Sequence, residues 1–187
     1  MFIACFAQKQ YSPAESYLVI IDVQEQFYAR IKQDSAVKSM VEAINSVVSI
    51  FPPEQVIYIK ATGKALSLSR KGFQVDTLPA PALDSNLRIV SENIFTKLAG
   101  DAFSSSEFNQ FIDQHRAMNF ILVGLLAEKC VSATANGGLE KGYKIWLMPE
   151  GILGKSAKSK ATVIKELSDK GIGIISQKEF LQGIPQQ

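Results

Sequence analysis

The chain has 187 residues, 47% of them apolar and 20% charged, which suits one folded domain and excludes disorder throughout. Twenty Lys and Arg against 18 Asp and Glu leave a formal charge of +2, too small a surplus to point to nucleic acid as a partner. Two cysteines, Cys5 and Cys130, and a single histidine exclude a disulfide scaffold and a zinc site of the usual His/Cys kind, so no metal is expected.

The apolar start, Met1 to Ala7, lacks the charged segment of a signal peptide and reads as an opening strand. No apolar run reaches the roughly 18 residues that cross a bilayer, so no membrane contact is expected and a reducing, cytoplasmic setting is the default. Tyr17–Ile21 is a continuous apolar run rich in β-branched residues, which means burial on both faces, as in a parallel sheet covered by helices. Val37, Met40, Val41, Ile44, Val47 and Val48 then recur at helical spacing. A second buried strand is expected at Val56–Ile59 and a shorter one at Arg88–Val90. Between them the stretch Ala61–Leu87 shows no clear period and reads as a lid, pocket wall or subunit contact. Phe108, Phe111 and Ile112 mark a helix opened by a capping box of Ser104 and Glu107. The strand Phe120–Val123 leads to a helix from about Lys129 to Lys141, closed by Gly142. The strand Ile145–Met148, a helix over Ser156–Asp169 and the strand Ile172–Ile175 complete the pattern. Alternating strands and helices predict a single α/β domain over residues 1–187: three layers, αβα, with about six mostly parallel strands in a Rossmann-like topology.

In such a fold, ligands bind beyond the carboxyl ends of the strands, near the point where strand order reverses. Asp22, Lys97 and Cys130 stand out there. Cys130 falls in the first turn of a helix, where free N–H groups and the helix dipole favour a thiolate. Lys97 supplies a cation to lower its pKa and Asp22 a carboxylate to take its proton. The competing reading of Cys130 is a small buried hydrophobe. His115 shares a helical face with Phe108, Phe111 and Ile112 and reads as a core or interface residue. Lys155, Lys158, Lys160 and Lys165 make the helix Ser156–Asp169 basic, as expected of a solvated face, and Cys5 reads as structural. Thr62-Gly63-Lys64-Ala65 lacks the earlier glycine and the following Ser/Thr of a phosphate loop, and no G-x-G-x-x-G follows a strand.

Three blocks in register resemble the isochorismatase-like cysteine hydrolases: Asp22-Val23-Gln24-x-x-Phe27, Lys97 followed by Asp101-Ala102-Phe103, and Gly124 through Cys130-Val131-x-x-Thr134-Ala135 to Gly142-Tyr143. The resemblance implies a hydrolase that cleaves a C–N bond of a small amide-type substrate. Asp22 would be the general base, Lys97 the electrostatic support, and Cys130 the nucleophile of a covalent, thioester-like intermediate. It also implies a cis peptide joining Leu125 to Leu126, with the Leu126 and Cys130 N–H groups as oxyanion hole, and a homo-oligomer. No cofactor is required. Phe27, Phe103 and Ala127 are the expected pocket walls.

Family members often carry Thr and Asp where this chain has Ala127 and Glu128, and an acidic residue at Gly137. Their next strand usually ends in Asp, against Pro149-Glu150 here, so substrate identity stays open. Nicotinamidases of this type bind a metal through histidines ahead of the lysine, and no histidine lies between Lys60 and Lys97. Two alternatives remain beside the amidase: vinyl-ether cleavage of the isochorismatase type, with Asp22 as acid, and an idle or redox-sensing member of the fold.

Overall fold

The computed structural model describes residues 15–28, 34–69 and 72–182. The expectations for Met1–Ala7 and Cys5 lie outside the described residues.

Strand β1 (Ser16–Ile21) buries Leu18, Val19, Ile20 and Ile21 completely, as its unbroken apolar run demands. Alternate residues face opposite layers. Leu18 and Ile20 join a core with Met40, Ile44 and Val47, whereas Val19 and Ile21 join one with Phe108, Ile112 and Phe120. After β1 come the short helix α1 (Glu25–Tyr28) and α2 (Asp34–Val48), then β2 (Val56–Ala61). An antiparallel hairpin of β3 (Lys64–Ser69) and β4 (Gly72–Thr77) precedes β5 (Ile94–Lys97) and α3 (Ser106–His115). The remaining elements are β6 (Asn119–Leu125), α4 (Ser132–Glu140), β7 (Lys144–Leu153), α5 (Ala157–Asp169), β8 (Gly173–Ile174) and α6 (Gln177–Gln182).

Six strands form one parallel sheet in the order β5-β2-β1-β6-β7-β8. Helices α2 and α6 cover one face, with Phe51 stacked on Phe180, and α3, α4 and α5 cover the other. This is the expected three-layer α/β fold. The chain builds β1, β2 and β5 outward, then returns to the centre for β6, so strand order reverses between β1 and β6.

Several local expectations are corrected. Arg88–Val90 is not a strand, because its polar backbone groups are taken by side chains. Tyr58 Oη donates to the Arg88 carbonyl at 2.7 Å and accepts from the Val90 N–H at 3.1 Å, while Asn45 Oδ1 accepts from the Arg88 N–H at 2.7 Å. The third outer strand is instead β5, whose mixed sequence Ile-Phe-Thr-Lys hides its period. Ala61–Leu87 is not irregular throughout but contains the β3–β4 hairpin. The cap of α3 is Ser105, which accepts from the Phe108 N–H at 3.4 Å; Ser104 serves the preceding turn, donating to the Asp101 carbonyl at 2.6 Å. His115 is exposed rather than in the core, with Nδ1 2.8 Å from the Phe111 carbonyl and its ring stacked on Phe111. Lys160 is no part of a solvated face. It is partly buried, donates to the Pro149 and Ile152 carbonyls at 3.0 Å each, and burial pushes its ammonium pKa down against the opposing pull of Glu150. Among the described residues no helix is long and apolar enough to cross a membrane.

Gly124 ends the close contact between β1 and β6. Its φ is +113°, and a Cβ there would stand 2.1 Å from the Ile21 carbonyl oxygen. Gly124→Ala should therefore cost about 3 kcal/mol or more, read as a lower urea midpoint at unchanged slope. A midpoint equal to wild type would show that the two strands need not approach so closely.

Candidate active site

The carboxyl ends of β1, β5 and β6 bring Asp22, Lys97 and Cys130 together. Asp22 is the first residue past β1 and turns the chain with φ +55°, a left-handed conformation that Asp tolerates better than most residues. Its N–H donates to the Ile59 carbonyl at 2.9 Å, which anchors the turn to β2. Lys97, the last residue of β5, is buried, and its Nζ lies 2.9 Å from Asp22 Oδ2. The same ammonium donates to the carbonyls of Ala99 and Gly100, at 3.1 Å each, so its three protons have three acceptors. Asp22 Oδ1 is buried and accepts no well-formed hydrogen bond, which leaves its lone pairs open to the thiol beside it.

Cys130 sits in a turn over Ala127–Val131 that precedes α4. The Leu126 carbonyl accepts from the Lys129 N–H at 2.9 Å and from the Val131 N–H, five residues on, at 3.2 Å. That wide, π-type winding presents the cysteine differently from a regular first helical turn. The peptide joining Leu125 to Leu126 is cis. Burial pushes the Cys130 thiol up, the adjacent Asp22 carboxylate pushes it further, and Lys97 only partly opposes them. The shift runs upward, opposite to the depressed thiol pKa expected from the sequence. Burial likewise raises the Asp22 carboxyl, with Lys97, Cys130 and the Ala61 N–H pulling it back. A raised carboxyl beside a thiol is a competent proton acceptor, so the arrangement suits proton transfer during attack rather than a preformed thiolate.

A cleft of about 200 Å³ opens over Asp22 and Cys130, lined by these two with Phe27, Ala61, Leu125, Leu126 and Lys129. Phe27 lines this cleft, whereas Phe103 and Ala127 do not. Phe103 is buried among Phe108, Phe120 and Tyr143, because its ring completes an aromatic core on the far side of the loop. Ala127 is buried in that same core, and Glu128 turns away to accept from the Lys155 N–H ahead of α5 at 3.0 Å. Pro149 and Glu150 do not end their strand, since β7 runs on to Leu153.

Three supports are not legible as such in the sequence. Gln24 is fully buried; its Oε1 accepts from the Ala61 N–H at 2.8 Å and its Nε2 donates to the Pro81 carbonyl at 2.9 Å, fixing one wall of the cleft. Its place in the Asp22-x-Gln24 block was the available signal. Thr134 Oγ1 accepts from the Ala102 N–H at 3.0 Å, and Asp101 Oδ1 accepts from the Phe103 N–H at 2.9 Å. Asp101 also occupies the space over Gly137, where a Cβ would stand 2.2 Å from its Oδ2. Among the described residues, no three His, Cys, Asp or Glu side chains gather as a metal-ligand set.

Removing one partner of a buried ion pair strands the other. Lys97→Met should destabilise the protein by about 3–5 kcal/mol near neutral pH, measured by denaturant unfolding. Because the penalty is an unpaired Asp22 carboxylate, acidification that protonates Asp22 should narrow the gap to wild type. An equal gap at pH 7 and pH 4 would place the loss elsewhere.

The model of the isochorismatase domain matches residues 16–179. No curated protein matches the chain. Among solved structures, a MAR1 ribonuclease from Caenorhabditis elegans is 20% identical, with a TM-score of 0.69 over 93% of this chain and 83% of that one. A nicotinamidase/pyrazinamidase from Acinetobacter baumanii is 16% identical, with a TM-score of 0.69 over 90% and 99%. A cysteine hydrolase from Pseudomonas syringae pv. phaseolicola is 13% identical, with a TM-score of 0.71 over 92% and 93%. At these identities the structures share the fold, and the domain match extends over nearly all the described residues: the chain belongs to the isochorismatase domain family of hydrolases.

Proposed function

We propose that this protein is a cysteine hydrolase that cleaves the C–N bond of a small amide-type substrate. The observation that carries the reading is that Asp22 and Cys130 line one cleft, with the buried Lys97 ammonium paired to Asp22 at 2.9 Å. Family membership supports it.

In this reading the Cys130 sulfur attacks the amide carbon while its proton passes to Asp22. The carbonyl oxygen becomes an oxyanion, received by the N–H groups of Leu126 and Cys130. Collapse expels the amine, which takes the proton from Asp22, and leaves a thioester on Cys130. Water then attacks the thioester, giving its proton to Asp22; the acid departs and the thiol is restored with that proton. Lys97 takes no part in these transfers. It orients Asp22 and limits how far burial raises the carboxyl. The partners we propose are the small-molecule substrate and a second copy of the chain, for which Phe73 and Val75, exposed on β4, offer an apolar face.

A panel of small amides and ureas assayed with wild type and Cys130→Ala tests the reading. The variant should lose at least about a thousandfold in kcat, as expected when a covalent nucleophile is removed. Full activity of Cys130→Ala on a vinyl ether, with no amide turned over by wild type, would overturn it. Because Asp22 must be ionised to accept the proton and burial raises its pKa, the acid limb of kcat/KM should lie above the ordinary carboxylate value of about 4. A pH–rate profile flat through that region would remove Asp22 from the mechanism.

A further inference from the structure

We infer that Lys129 makes the cleft selective for an amide bearing an anionic group, such as a carboxylate a few bonds from the scissile carbonyl. The inference rests on the hydrolase reading of the same site and names the substrate class it takes. Four of the seven lining residues, Phe27, Ala61, Leu125 and Leu126, are apolar, and two more are Asp22 and Cys130. Lys129 is the remaining one, an exposed cation beside the nucleophile. The ion pairs among the described residues are Lys38–Glu42, Lys97–Asp22 and Lys165–Asp169, so Lys129 has no carboxylate partner there.

The charge count of the cleft then decides the ligand. Lys97 and Asp22 cancel as an ion pair at 2.9 Å. Lys129 adds one positive charge at the wall of a small, largely apolar space. A neutral amide gains nothing from that charge, whereas a singly negative ligand pairs with it as its apolar body meets Phe27 and the two leucines. The volume sets the size: about 200 Å³ is below the roughly 300–1,000 Å³ of sites for drug-sized ligands, so the linker is short. The Lys129 N–H is bound to the Leu126 carbonyl at 2.9 Å, which fixes the backbone from which its side chain reaches the cleft.

Two reagents that attack the same sulfur separate this inference from the hydrolase reading. Iodoacetate is anionic and iodoacetamide neutral, so the ratio of their rates at Cys130, followed by peptide mass, reports charge selection without any turnover. Changes in thiol ionisation cancel in the ratio. Lys129→Met should lower the iodoacetate-to-iodoacetamide ratio about five- to tenfold, Lys129→Glu should lower it further, and Lys129→Arg should keep it. Added salt should weaken the wild-type preference. In the hydrolysis arm, wild type should favour succinamate over its neutral methyl ester, and Lys129→Met should lose that preference mainly through KM. An identical alkylation ratio in wild type, Lys129→Met and Lys129→Glu overturns the inference even if amides are hydrolysed. A charge-selective ratio with no amide hydrolysed leaves the anion site standing and removes the hydrolase.

Discussion

The Lys97–Asp22 ion pair is the constraint on which the rest of the site depends. The two residues leave strands β5 and β1, which are separated by β2 in the sheet, and both are almost wholly shielded from water. Burying two charges is costly unless the geometry is good and the spare donors are met. Here the Lys97 ammonium is saturated by the Ala99 and Gly100 carbonyls, so the loop after β5 has to fold back under its own lysine. The pair therefore fixes a loop, two strand ends and the position of a carboxylate at once. It also leaves one Asp22 oxygen without a strong donor, the oxygen that the neighbouring thiol can use.

The sheet explains why this constellation forms where it does. Strand order reverses between β1 and β6, and the chains leaving those two strands part to opposite faces and open a crevice. Asp22 leaves one side of it and the turn carrying Cys130 leaves the other. Gln24 closes the β2 side through Ala61, and Glu128 ties the cysteine turn to the segment ahead of α5. Rigid strands thus set the position of each reactive group, while short turns set its direction.

Much of this was legible in the sequence. Unbroken apolar runs such as Tyr17–Ile21 and Phe120–Val123 marked buried parallel strands, because burial on both faces leaves no alternation to misread. Asp22 and Cys130 stand out in the sequence because each follows an apolar strand run and carries a reactive group, whereas Lys97 closes β5 itself and the strand expected ahead of it, Arg88–Val90, does not form. What escaped was set by side-chain contacts between distant segments. Tyr58 and Asn45 take the backbone groups of Arg88–Val90 and deny it a place in the sheet, which no local pattern records. The direction of the thiol pKa is hidden for a similar reason, since helix position and a nearby lysine are visible in one dimension but burial against a carboxylate is not. Phe103 and Ala127 lay near the site in sequence yet face the core, because the loop and turn that carry them point those side chains inward.

The contact of Asp101 with the bare face of Gly137 ties two distant positions into one heritable unit. A carboxylate at either position would claim the same volume, so the two cannot both carry one without moving the loop that holds the lysine. A side chain at position 137 is therefore admitted only where Asp101 moves or is replaced. Lineages that exchange the acid from one position to the other should pass through an intermediate having none, where the loop beneath the lysine is slackest.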